Sequence, residues 1–295
     1  MKTLDEVLKI WSGTERSQWK QHENGNGWVY STAHVDLSAF IDGDAQVSGD
    51  ARVYGNARVY GDAQVSGNAQ VYGDARVYGD AQVYGNAQVY GDAWVSGDAQ
   101  VSGDAWVYGD AQVYGDAWVS GDAQVYGDAR VSGDARVSGD AQVSGDAWVY
   151  GDAQVYGNAR VYGNARVYGN AQVYGDAWVS GDAQVSGNAR VYGDAWVYGD
   201  AWVYGDAWVS SPLYIQGSRH ALTLCSHTEI AIGCRLHSIT DWKKNFKKIG
   251  VAAGYTPDQI KEYGEYIDLL AITAKRIKAF WNMLEAAKQR EGRVS

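Results

Sequence analysis

Between Gly43 and Ser210 apolar and polar positions follow a pattern that restarts every six residues: Gly, then Asp or Asn, then Ala, then Gln, Arg or Trp, then Val, then Ser or Tyr. The unit recurs 28 times without insertion. In extended backbone alternate side chains share a face, so Ala45 and Val47 point one way while Gln46 and Ser48 point the other. A Gly-Asp or Gly-Asn pair then turns the chain, because glycine accepts positive φ and Asp or Asn tolerates a corner. A short strand and a corner repeated at fixed spacing coil the chain, and such coils bury a core only by stacking on one another. Looser copies extend the pattern: GNGWVY at 25–30, STAHVD at 31–36, LSAFID at 37–42 and SPLYIQ at 211–216. The prediction is an all-β solenoid over 25–216, between a helical cap at 1–24 and an α+β module at 217–295.

The small residue placed two positions before an inward aliphatic one resembles the hexapeptide-repeat family. That family folds as a left-handed parallel β-helix with three six-residue sides per coil, which implies ten to eleven coils here and a rod about 50 Å long at the usual strand spacing. One departure is that Gly follows the Ser or Tyr, where the family's transferases often carry Gly directly after the aliphatic residue. The resemblance also implies an alternative role, an acyltransferase-like enzyme using a histidine in a cleft between subunits.

The two ends carry helical patterns. Thr3 and Glu6 form a capping box, and Leu4, Val7, Leu8 and Trp11 share a stripe, so a short helix is expected over the open first coil. Residues 221–224 and 229–234 read as a β-hairpin. Ser238 opens a helix with Trp242, Phe246 and Ile249 on one side and Lys243, Lys244, Lys247 and Lys248 on the other. Thr256-Pro257-Asp258-Gln259 starts another, reaching to about Lys288. Its stripe of Ile260, Tyr263, Ile267, Leu270 and Ala274, continued by Ile277, Trp281 and Leu284, suits packing on its own module, with self-association as the other use.

The net charge of −10 conceals a division. Residues 43–210 hold 21 Asp against 8 Arg, whereas residues 211–295 hold 13 basic side chains against 8 acidic ones. The basic helix face is therefore expected to meet the acidic rod. Two cysteines make no disulfide framework, and Asp5 and Glu6 stand where a signal peptide would be apolar, so a cytoplasmic setting is expected. No apolar run approaches a membrane span.

With three sides per coil, residues 18 apart stack into columns. Tyr54, Tyr72, Tyr90, Tyr108 and Tyr126 form one, and Arg58 and Arg76, with Arg130 and Arg166, mark another. Aromatic stacking within the rod is the structural use of such columns; a surface for a protein partner is the functional one. A corner carries Asp44, Asp62, Asp80, Asp98, Asp116, Asp134 and Asp152. Adjacent charges there repel by roughly 0.9 kcal/mol in water, so local backbone bonds, cations or a basic partner should compensate. A line of carboxylates can also imitate a nucleic-acid backbone. Binding of nucleic acid itself is not expected from one lysine-rich face. Trp196, Trp202 and Trp208 occupy three successive units and are expected to seat the C-terminal module.

Candidate chemistry is sparse. None of the five histidines lies in the strict units, and His34 faces outward with no evident acid to orient it. Cys225, His227, Cys234 and His237 form two Cys/His pairs that a hairpin would bring together, four ligand types that suit zinc, although a buried cysteine in an apolar strand is the commoner outcome. No cofactor is expected. The opening GNGWVYSTAHV and the ending SRHALTLCSHTEIAIGCRLHSITDW, together with the GDAxV run, resemble phage- and prophage-encoded hexapeptide-repeat proteins, which implies binding or inhibition of a host factor. The sequence thus reads as a non-enzymatic scaffold.

Overall fold

The computed structural model describes residues 1–204, 207–208, 213–233 and 235–291, with backbone alone at 204, 207–208, 214, 277–278 and 280–291. The hexads wind into a parallel β-solenoid of about ten turns with three sides. The parallel strands pair residues 18 positions apart, Gln46 with Gln64, Arg52 with Gln70 and Arg58 with Arg76, until the last strand of the first sheet, where Arg190 meets Ala207 at an offset of one residue less. Three sheets result. The first runs from Trp19–Gln21 and Trp28–Tyr30 to Ala207–Trp208, the second from Phe40–Ile41 to Trp202–Tyr204, and the third from His34–Val35 to Trp196–Val197.

The inward alternation is complete. From Ala45 to Val203, every Ala at the third position and every Val at the fifth is 0–1 % exposed. At the corners backbone approaches backbone. Gly97 has φ +69, and a Cβ there would meet the Gly115 nitrogen at 3.0 Å and its oxygen at 3.2 Å. Glycine is thus required twice over, for its dihedral and for its missing side chain.

The N-terminal helix α1 (Leu4–Ile10) has the expected capping box between Thr3 and Glu6. Its position differs from the expectation. Val7 packs with Trp19 and Trp28, flanked by Leu4, Leu8, Trp11 and Tyr30, against the outside of the first sheet. Gln46 and Ser48, outward positions of that sheet, are consequently buried. The open edges are met instead by the segment between α1 and the repeat. Trp19–Gln21 pairs antiparallel with Trp28–Tyr30, and the following loop reaches the second sheet, where the Ile41 nitrogen donates to the Asn24 carbonyl at 3.0 Å. At the third sheet Ala33 and Val35 are only half-buried.

At the other end the strand Tyr214–Gln216, read with the repeat on sequence, leaves the coil. It joins Ala221–Leu224, Glu229–Ile232 and Arg235–Ser238 in an antiparallel sheet of four strands, so the expected hairpin is the middle of a larger unit. Helix α2 (Ile239–Ala252) is capped by Ser238, whose hydroxyl accepts from the Asp241 nitrogen. Helix α3 (Pro257–Glu291) is capped by Thr256 and Gln259 reciprocally. Tyr263, Ile267, Leu270 and Ala274 of α3 are buried in the module's core, as their spacing predicts, while Leu269 and Ile272 are exposed. Ile277, Trp281 and Leu284 lie where side chains are not described. Among the described residues no helix is long and apolar enough to cross a membrane.

Candidate interaction surfaces

Outward positions recur at the coil spacing, so side chains 18 residues apart meet in register, and in some columns they are alike. Tyr54, Tyr72, Tyr90, Tyr108 and Tyr126 stack with ring centroids 4.8–5.1 Å apart and planes within 15°. The column is tied sideways as well: the Tyr54 hydroxyl donates to Gln70 Oε1 at 2.9 Å, and Tyr72 bonds Gln88. Burial between neighbours, then the adjacent phenols, raises the pKa of Tyr72, Tyr90 and Tyr108. These rings therefore contribute to the rod's own stability, at about 0.5–1.5 kcal/mol per pair.

The arginine column is engaged in part. Arg58 stacks beneath Arg76 in the second sheet, and the Arg76 guanidinium lies 5.0 Å from the Trp94 ring. Trp148 is approached from both sides, by Arg130 at 4.9 Å and Arg166 at 5.9 Å. Tryptophan between guanidiniums separates like charges and gives each an aromatic face.

The corner carboxylates behave differently. Where Asn precedes Asp in a column, its amide donates to the acid below, as from Asn56 to Asp74 at 3.3 Å and from Asn86 to Asp104 at 2.9 Å. In the unbroken aspartate corner, Asp44 meets the Met1 nitrogen at 3.1 Å and Asp62 meets Lys2 Nζ at 2.5 Å. Asp80, Asp98 and Asp116 are exposed and have no ion-pair or hydrogen-bond partner among the described residues. The local backbone bonds expected to relieve them are not present at these three positions.

The tryptophans divide. Trp196 is 51 % exposed and stacks on Trp178 at 5.0 Å, continuing a face of the rod. Trp202 donates from Nε1 to Gln184 Oε1 at 2.9 Å, and its backbone nitrogen faces the Thr223 hydroxyl of the module's sheet at 3.4 Å. The side chain of Trp208 lies outside the described part. The observed seat is the edge of Trp202–Tyr204 together with a core that runs on from Val203 to Leu222 and Leu224. On α2, Lys243 pairs with Asp268 of α3 at 2.7 Å, within the module and not with the rod.

His34 is exposed as expected, but Asp36 stands 3.6 Å from it, an acid two residues on along the same outer face that the sequence reading did not credit. Cys225 is buried, its thiol donating to the Thr223 carbonyl at 3.4 Å, and burial pushes its pKa up to about 12. His237 contacts Asp241 at 3.0 Å and the Trp242 ring edge-on. Cys234 lies outside the described residues, and among the described ones no group of three or more metal-ligating side chains is gathered.

The fold and its surfaces define the class: the chain is a repeat β-solenoid. Its repeats match the family model described as YdcK Beta solenoid repeat over residues 45–97, 99–169 and 183–199, in twelve stretches of the same length. Comparison with curated proteins finds no match. Among solved structures, a UDP-N-acetylglucosamine acyltransferase from Francisella novicida aligns over 80 % of this chain and 77 % of its own, at 12 % identity and a TM-score of 0.30.

Proposed function

We propose that the rod is a non-enzymatic binding scaffold whose acidic corners take a basic strip of a protein partner. What supports the reading is the contrast along one corner: Lys2 engages Asp62, while Asp80, Asp98 and Asp116 repeat the same exposed carboxylate without a countercharge among the described residues. A partner carrying Lys or Arg at matching spacing would find several sites in line, and its association would weaken with salt. The tyrosine and arginine columns beside the corners supply flat surface for its apolar groups. A cytoplasmic setting goes with this role. Inhibition of a host factor, including by imitation of DNA, is its narrower form and rests on the resemblance of the chain's ends to phage-encoded proteins.

The test is capture from the native host with wild-type chain and with Asp80→Asn, Asp98→Asn and Asp116→Asn combined. A partner retained by wild type at low salt and lost by the triple variant supports the role; equal retention by both overturns it. An acyltransferase-like enzyme is the second reading, favoured by the His34–Asp36 contact. It requires acyl transfer from an acyl thioester that falls at least a hundredfold in His34→Ala, and activity unaffected by that change would dispose of it.

A further inference from the structure

The C-terminal module contains a cavity that the rod's role does not use. It lies between the antiparallel sheet, α2 and α3, and its walls are Ile232, Phe246, Ile249, Tyr255, Ile260 and Ile267. Two glycines set the spacing of these walls. A Cβ on Gly250 would meet Ile260 Cγ1 at 2.9 Å, and one on Gly264 would meet Phe246 Cε2 at 2.8 Å, so the two helices approach closely at both glycines. Its volume is about 70 Å³. A single water needs about 10–15 Å³ on the same kind of measure, so the space takes an apolar body of roughly one ring or a short branched chain.

The polar groups gather at one side. Arg235 and His220 line the cavity and are exposed to solvent. Arg219 lies over the Tyr255 ring at 5.0 Å and donates from Nη1 to the Gly254 carbonyl at 2.7 Å. No carboxylate of the described residues pairs with Arg235 or Arg219. The Tyr263 hydroxyl, which would otherwise compete for a ligand, is already committed: it donates to the His220 carbonyl at 2.6 Å and accepts from the Arg219 nitrogen at 3.1 Å. An apolar pocket with a few convergent polar groups is the usual form of a small-molecule site.

We infer that this cavity binds a small carboxylic acid whose body is one ring or a branched aliphatic chain, the body between Phe246 and Ile260 and the carboxylate at Arg235. The planar guanidinium fork matches a carboxylate, and charge-assisted pairing there adds to burial of the ring. Neutral molecules of the same shape lose that pairing.

Benzoate serves as the probe, titrated into the full-length chain by calorimetry beside benzyl alcohol. Benzoate binds, benzyl alcohol binds at least tenfold more weakly, and Arg235→Gln, at an exposed strand end, weakens benzoate about tenfold. Ala253→Leu, which extends a lining side chain into the space, abolishes binding. Circular dichroism confirms that each variant is folded, and Arg235→Gln carries the test if Ala253→Leu is not. No saturable benzoate binding to the folded wild type overturns the inference. So does equal affinity for benzyl alcohol, unchanged binding in Arg235→Gln, or unchanged binding in folded Ala253→Leu.

Discussion

At the residue scale the rod tests each position of the hexad separately. Gly97→Ala introduces a side chain where φ is +69 and the next coil's backbone is 3.0 Å from the new atom. The left-handed conformation alone costs about 1–2 kcal/mol, so the denaturant midpoint falls. Asp98→Asn, one residue on, leaves that midpoint unchanged or raises it, because Asn in these columns donates to the neighbour below, as Asn68 does to Asn86. Cys225 gives a pH signature. Its folded pKa is raised from 9.0 to about 12 by burial, so the folded state holds the proton more tightly than the unfolded one. Its contribution to stability is complete below pH 9 and is lost as pH rises from there through 12. In Cys225→Ala the fall of stability over that window is shallower than in wild type, by urea melts at fixed pH; an identical slope would remove the thiol from the account. Ala, Val and Gly of the hexad were legible from sequence because each has one environment, repeated. His34's neighbour Asp36 was legible in principle, since alternate residues of a strand share a face.

At the scale of elements, the coil is the unit of stacking and three hexads make one. Deleting residues 103–120 removes one turn and brings Tyr90 onto Tyr126 in the same column. The shortened chain remains folded, and spin labels on Asn68 and Asp176, six coils apart in one corner, move from about 29 to about 24 Å. A distance unchanged, or a chain that no longer folds, would contradict the three-sided pairing. The helices show how far local signals reach. Their caps at Thr3, Ser238 and Thr256 were readable because a cap joins residues three apart. Where α1 rests was not, since Trp11 bonds Gln46 and Lys2 bonds Asp62 across 35 and 60 positions of chain. The strand Tyr214–Gln216 shows the opposite error. Its composition resembles a hexad, yet its partner is Ala221–Leu224, and an isolated four-residue pattern does not say which edge it will meet.

Across the whole molecule charge and shape work together. Columns of side chains run the length of a stiff rod, one end wrapped by α1 and Trp19–Gln21, the other joined to a module with an opposite charge balance. Salt is the readout at this scale: raising ionic strength from about 0.05 to 0.5 M shortens the Debye length about threefold. It relieves repulsion along Asp80, Asp98 and Asp116, so wild-type thermal stability rises more with salt than that of the triple Asn variant. Equal salt slopes would mean that these charges do not act on one another.

By itself the sequence determined the six-residue turn, the alanine–valine interior and the 18-residue columns, because each is a local rule applied again and again and leaves the stacked chain no other way to bury its apolar face. Only the tertiary structure decided which corner carboxylates find a cation, where α1 lies, and that Arg235, Phe246 and Ile260 surround one cavity. Those relations join distant, non-repeated segments, and their geometry follows from packing that no period in the chain encodes.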